Sequence, residues 1–189
     1  EFNNHVAIQG PPGTGKTYRM AKLIAELLSE GKSVLVTALT NEALKVIASK
    51  EDLKPYLECG RISKTSLTID ERHEPELVTN EGNVCNAASG HLSLATFYIS
   101  SGWAKDVHRM PPFDYVIMDE ASQALLPMIA ACKKLGRKVV WIGDQKQLAP
   151  IVRTNEDRIN VRGWRPIVMG FATLCNNILM PTFMLSDFV

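Results

Sequence analysis

A chain of 189 residues with 46% hydrophobic and 22% charged residues has the composition of a soluble globular protein. Its length is that of one domain with room for a substantial core. A formal net charge of +1 excludes a general electrostatic footprint for nucleic acid, so any basic track has to be local.

No apolar stretch approaches a membrane span and nothing resembles a signal peptide, so no membrane partner is expected. The four cysteines, Cys59, Cys85, Cys132 and Cys175, are irregularly spaced without a C-x-x-C. They read as reduced, mostly buried thiols of an intracellular protein. The histidines His5, His73, His91 and His108 have no metal-ligand spacing.

In chain order, the apolar run His5–Gln9 reads as a strand and is followed by a Gly-rich turn at residues 10–17. The next segment places Met20, Leu23, Ile24, Leu27 and Leu28 on one helical face and stops at Gly31. A strand over Ser33–Leu39, a helix over Asn41–Ser49 and a weaker strand over Gly60–Ser63 follow. Residues 64–90, with the run Asp70-Glu71-Arg72-His73-Glu74-Pro75-Glu76, are polar and irregular and read as a surface excursion between core strands. Strands are expected at Leu92–Tyr98, Tyr115–Asp119 and Lys138–Gly143. Between the last two, a helix carries Leu125, Met128, Ile129 and Cys132 on one face and ends near Gly136.

Residues 153–166 hold Arg153, Arg158, Arg162 and Arg165 around Trp164, either a nucleic-acid or interdomain contact or a solvated loop. A helix over Val168–Leu179 and a strand over Thr182–Ser186 complete the reading. Strands alternating with helical segments predict an α/β fold, a parallel sheet with helices on both faces. The chain opens just before its first core strand and closes in a strand, so it is expected to be part of a longer protein.

Residues Gly10, Pro11, Pro12, Gly13, Thr14, Gly15, Lys16 and Thr17 complete the pattern G-x-x-x-x-G-K-[ST] between a strand and a helix. In that setting backbone N–H groups and the positive end of the helix cradle phosphates. Lys16 reaches the β- and γ-phosphates and the Thr17 hydroxyl is placed for Mg²⁺. Val116–Gln123 is an apolar strand ending in two carboxylates. Asp119 is expected to hold Mg²⁺ opposite Thr17, and Glu120 to orient and deprotonate the attacking water. A further strand ends in Gly143-Asp144-Gln145-Lys146-Gln147-Leu148-Ala149-Pro150, where Gln147 is suited to sense the γ-phosphate and the attacking water.

With these motifs the chain resembles the first RecA-like domain of the superfamily 1 helicases. Gly10–Thr17 resembles motif I, Asp119–Gln123 motif II and Gly143–Pro150 motif III. Thr37–Ala43 resembles motif Ia and Leu94–Phe97 a further backbone-contacting motif. The Asp-Glu-Ala-Ser-Gln form and the Gln-Leu-x-Pro ending look most like the 5′-to-3′ branch that includes the RNA-surveillance helicases. Motif III also lacks the aromatic residue that the opposite branch stacks on a base.

The resemblance implies a RecA-like P-loop NTPase fold that uses ATP and Mg²⁺, with Lys16, Glu120 and Gln147 catalytic. It also implies a single strand of DNA or RNA as partner, together with a second RecA-like domain of the same full-length chain. The family's adenine-reading glutamine, motif IV arginine and second domain are not in the sequence, so the fragment alone is expected to be nearly inactive. Thr40, Asn41 and Thr96 are the expected strand contacts. Thr40-Asn41 also reads as a helix N-cap, and the two readings are compatible because a helix N-terminus is itself a phosphate site. An AAA-type ATPase, whose loops share this phosphate pattern, is the enzyme alternative. A nucleotide-gated nucleic-acid clamp without unwinding is the other.

Overall fold

A computed structural model describes residues 4–67, 71–73, 77–79, 86–147, 150–177 and 180–185. Its strands are β1 (His5–Gln9), β2 (Val34–Ala38), β3 (Ile62–Lys64), β4 (Leu77–Thr79), β5 (Leu92–Thr96), β6 (Phe113–Met118), β7 (Gly136–Gly143) and β8 (Thr182–Met184). They form one eight-stranded sheet in the order β4-β3-β5-β2-β6-β7-β1-β8. Every pairing is parallel. The helices are α1 (Lys16–Ser29), α2 (Asn41–Ala48), α3 (Lys54–Glu58), α4 (Phe97–Asp106), α5 (Leu126–Leu135), α6 (Glu156–Val161), α7 (Arg165–Val168) and α8 (Gly170–Cys175). The expected α/β parallel architecture is therefore present.

The sheet is covered on both sides, and the strands show it by alternation. Val34 and Val36 of β2, Ile117 of β6 and Val140 and Ile142 of β7 join one core with Met20, Ile24 and Leu28 of α1 and Leu44 and Ile47 of α2. Their sequence neighbours Leu35, Val116, Met118, Val139 and Trp141 face the opposite core, made with Phe97 and Trp103 of α4, Ile129 and Cys132 of α5, and Phe171 of α8. All five residues of β2 are buried, as a central parallel strand requires. Each fully buried Leu or Ile contributes roughly 1.5–3 kcal/mol. Trp141 is fully buried, and its indole N–H donates to the Ile129 carbonyl at 3.3 Å, which satisfies its polar atom.

The structure corrects two expected elements and adds others. The strand expected over Leu92–Tyr98 ends at Thr96, and Phe97 and Tyr98 instead open α4, which like α3 and α6 was not expected from the sequence. The helix expected over Val168–Leu179 is broken: α7 ends at Val168, Met169 has φ −87° and ψ 49°, and α8 begins at Gly170. A Cβ on Gly170 would lie 2.5 Å from the Leu126 nitrogen, so the chain bends to press α8 onto the start of α5. Residues 178 and 179 of that predicted helix, and Ser186 of the last predicted strand, lie outside the described residues. Within the segment 64–90, β4 adds an outer strand beside β3, and Lys64 forms a buried ion pair with Glu71 at 2.8 Å. Of its acidic run only residues 71–73 are described.

Cys59 is exposed, Cys132 buried and Cys175 partly buried, all as free thiols, while Cys85 lies outside the described residues. Burial pushes the Cys132 thiol up to about 12, which makes it inert.

Candidate nucleotide site

The site forms where neighbouring parallel strands end along one edge. β7 lies between β1 and β6, so the turn after β1 and the carboxylates after β6 flank its tip. The Gly10 N–H donates to the Gly143 carbonyl at 3.1 Å, anchoring the turn to β7 as it leaves the sheet.

From there residues 11–15 wrap around the head of α1. Gly13 at φ 82° and Gly15 at φ 69° both take left-handed backbone, which side-chain-bearing residues adopt only at a cost. Gly15 is the N-cap of α1 and provides no side-chain cap. The first-turn N–H groups of a helix have no intrahelical partner, so this terminus presents uncapped donors and the positive dipole end. Thr14 is buried, and its hydroxyl donates to the Pro11 carbonyl at 2.8 Å, holding the turn in shape. The Lys16 ammonium lies over the turn, donating to the carbonyls of Gly10 and Pro11. Thr17 is partly exposed in the first helical turn, and its hydroxyl has no protein partner among the described residues.

Asp119 follows β6 and is only 7% exposed. Its N–H donates to the Thr37 carbonyl at 2.9 Å, and its Oδ1 accepts from the Glu120 N–H at 2.9 Å. Burial raises its carboxyl above the ordinary range, and the Glu120 N–H and the Lys16 ammonium oppose that rise. The electrostatic influence of Lys16 on Asp119 is the link between turn and carboxylate. Glu120 is half-buried, and its carboxyl is raised first by burial and then by the neighbouring Asp119 charge. It also has φ 52° and ψ 35°, and among the described residues it is the one non-glycine at positive φ. The backbone therefore turns sharply between the two carboxylates.

The β7 tip turns through Asp144, whose Oδ1 accepts from the Lys146 N–H at 2.9 Å while its carbonyl accepts from the Gln147 N–H at 3.1 Å. Gln147 shares a small cleft with Ser122, Asp144, Gln145 and Phe171, so the ends of the two candidate motifs meet there. The Ser122 hydroxyl is buried without a hydrogen-bond partner. Neither Ser122 nor Asp144 stood out in the sequence, although both lie inside those motifs. Leu148 and Ala149 lie outside the described residues.

The expected strand contacts lie further along the same edge. Thr40 is exposed and is the N-cap of α2, its hydroxyl accepting from the Ala43 N–H at 3.1 Å. Asn41 is exposed beside it. Thr96 ends β5, paired with Ala38 of β2, and begins α4 without using its hydroxyl as a cap.

A Gly-rich turn on the carboxyl edge of a parallel sheet, opening an uncapped helix beside a buried carboxylate, defines a P-loop NTPase fold. The chain belongs to the family described as AAA domain, which matches residues 3–156. It is 32% identical over 165 residues to the DNA replication ATP-dependent helicase/nuclease DNA2 of Saccharomyces cerevisiae, an alignment covering 82% of this chain and 10% of that protein. To the human protein of the same name it is 30% identical over 160 residues, covering 82% of this chain and 15% of the relative. The solved UvsW helicase of bacteriophage T4 superposes with a TM-score of 0.54 at 14% identity, over 96% of this chain and 55% of that one, and shares the fold. The AAA description by itself does not separate the helicase and AAA-type readings, but the relatives do. This is a RecA-like domain of the superfamily 1 helicase type. It spans a tenth to about a seventh of these two relatives. No helix among the described residues is long and apolar enough to cross a membrane.

Proposed function

We propose that this domain binds and hydrolyses ATP with Mg²⁺, and that the full-length protein couples each turnover to movement along a single strand. The observation that carries the reading is the uncapped, glycine-turned N-terminus of α1, with Lys16 over it and the buried Asp119 within its electrostatic reach.

The residues fit the ligands. Gly10, Pro11, Pro12, Gly13, Thr14 and Gly15 shape the phosphate cradle, and Lys16 neutralises the phosphate oxygens. Among the described residues no cluster of three or more His, Cys, Asp or Glu side chains is present to cage a cation. That suits Mg²⁺, which is commonly held by one or two carboxylates plus phosphates, here Asp119 with the free Thr17 hydroxyl. When bound, Mg²⁺ supplies charge neutralisation at the phosphates. Glu120 receives the proton of the attacking water, and a carboxyl raised by burial and by Asp119 is a better base for that task. Gln147 orients that water and reads the γ-phosphate.

Thr40, Asn41 and Thr96 contact the strand backbone. The relatives' description as DNA replication helicases favours DNA as that strand. A second RecA-like domain of the same protein completes the site.

The test compares ATP turnover of the full-length protein with and without single strands. Strand-stimulated turnover that disappears in Lys16→Ala supports the reading. Robust, strand-independent hydrolysis by this domain alone overturns it in favour of a self-sufficient AAA-type ATPase.

A further inference from the structure

Beyond the carboxyl ends of β5, β2 and β6, which neighbour one another in the sheet, lies a pocket of about 330 Å³ that the nucleotide site does not use. Each of the three strands leads into its wall. Tyr98 follows β5 in the first turn of α4, Leu39 follows β2, and Gln123 closes the short turn after β6. Met128 of α5 and the loop residues Ile151 and Val152 complete it. The carboxyl edge of an open parallel sheet is where such folds bind ligands, and small-molecule pockets span roughly 300–1,000 Å³.

The chemistry of the wall selects the occupant. No charged side chain lines the pocket, so neither a phosphate nor a charged peptide side chain finds a counter-ion in it. Tyr98 is 65% exposed, which leaves its ring free to stack. Gln123 adds one side-chain amide, a donor and an acceptor in a wall that is otherwise mostly aliphatic. An uncharged flat face with a hydrogen-bonding edge is the chemistry of a nucleobase. The hydroxyls for the rest of a nucleotide stand alongside: Thr40 is next to Leu39, Thr96 is two residues before Tyr98, and the register of β2 and β5 pairs Ala38 with Thr96.

We propose that this pocket takes one unstacked base of the single strand, with its face on Tyr98 and its edge on Gln123, while Thr40 and Thr96 hold the flanking phosphates. The proposal rests on the reading that the domain works on a single strand, and it adds a point where that strand is held by a base and not by its backbone. The groove on the other side of Ile151 has Glu156 and Arg165 in its walls and no aromatic ring, so it does not repeat the arrangement. The Gln123 N–H donates to the Glu120 carbonyl at 2.9 Å, so a nucleobase in the pocket touches the turn that carries the proposed proton acceptor.

The experiment uses the full-length protein and the fluorescence anisotropy of a labelled oligothymidylate, beside an abasic strand of the same length. Tyr98→Leu keeps an apolar side chain and removes the stacking face. It is expected to weaken binding of oligothymidylate about 5- to 150-fold, the worth of one base stack, and to leave binding of the abasic strand unchanged. The salt slope should stay at its wild-type value, because no phosphate contact is removed. Tyr98→Phe should bind like wild type. The strand concentration for half-maximal stimulation of ATP turnover should rise in Tyr98→Leu by the same factor as the dissociation constant. Melting should not change, since Tyr98 is exposed.

Equal affinity of wild type and Tyr98→Leu for oligothymidylate overturns the proposal and leaves the pocket to an apolar protein segment, which leucine serves as well as tyrosine. An equal loss on both strands also overturns it, because the effect then lies in the backbone contacts. If wild type binds both strands equally and its turnover is strand-stimulated, the single-strand reading stands and this inference fails. If wild type binds neither strand, both fail.

Discussion

Glu120 carries two separable costs, one in its backbone and one in its charge, and three proteins distinguish them. At φ 52° and ψ 35° the residue sits in left-handed backbone, which costs a residue with a Cβ roughly 1–2 kcal/mol. Glycine there escapes that strain but loses about 0.5–1 kcal/mol more chain entropy on folding. The backbone part of Glu120→Gly is therefore a net gain of up to about 1.5 kcal/mol, centred at about 0.75 kcal/mol. Glu120→Gln keeps the strained backbone and removes only the carboxylate that burial and Asp119 disfavour. The expected order of stability at neutral pH is Glu120→Gly above Glu120→Gln above wild type. The gap between the two variants is about 2–3 °C in melting temperature at the centre of that range, and at most about 6 °C, for a domain of this size. Urea and thermal unfolding measure it. Turnover of the full-length protein should fall about 10²–10⁴-fold in both variants, the usual worth of a positioned general base. A wild-type protein more stable than Glu120→Gln, or a glycine variant below the glutamine variant, refutes the reasoning. The expected pattern is a site held in a costly conformation for its chemistry.

Lys16→Ala should lower affinity for Mg²⁺-nucleotide about tenfold to a hundredfold by calorimetry, because hydrogen bonds to charged groups are worth about 1.5–3 kcal/mol. Equal affinities sink the phosphate-loop assignment. The same change removes the cation that opposes the rise of the Asp119 carboxyl, so that carboxyl should titrate still higher, as read by NMR. Lys64 and Glu71 are 1% and 2% exposed, so Lys64→Met removes the cation facing a buried carboxylate and should cost about 3–5 kcal/mol in urea unfolding. Lys64→Met with Glu71→Leu should recover most of that loss, and a double variant as unstable as the single contradicts the ion-pair account. Asp119 and Glu120 both titrate above their ordinary range in the folded state. As pH rises from that range, the folded protein holds protons the unfolded chain has released. Stability should therefore fall with pH and level off above the raised folded values. Calorimetry across pH should find this decline weaker in Asp119→Asn, and an unchanged profile contradicts the burial argument.

The strand–turn–helix around residues 10–17 and the position of the two carboxylates after β6 were legible because the signal is local, carried by short spacings. The strands of the central sheet were legible for a similar reason, since β2 and β7 are apolar on both faces and bounded by polar turns. What escaped depends on contacts distant in sequence. No periodicity in residues 168–179 shows that Gly170 meets the backbone of Leu126, a close approach that sits at the break before α8. The Lys64–Glu71 pair sits in a polar stretch that reads as surface, because a buried charge is visible only once its partner is placed. Thr40 was ambiguous between a cap and a strand contact. The structure shows the cap, through its bond from the Ala43 N–H, and leaves the side chain exposed. The left-handed turn at Glu120 had no sequence signal at all, since glycine or asparagine is the usual mark of such a position.

The alignment of the site follows from strand register more than from any single contact. Gln9 pairs with Gly143, Met118 with Trp141, Thr37 with Met118 and Ala38 with Thr96. The Asp119 N–H to Thr37 carbonyl bond carries the register one residue further and brings Asp119 level with Ala38 and Thr96, after which the left-handed turn at Glu120 leaves the sheet. The carboxylate proposed for the cation thus shares a level with the candidate strand contact, and Gln9 and Gly143 share one at the root of the glycine turn. A slip of one residue in β7 would exchange Val140 and Ile142 with Val139 and Trp141 between two differently packed cores. The cores therefore hold the register, and the register holds the site. Core side chains, Trp141 above all, fix where the glycine turn and the two carboxylates meet.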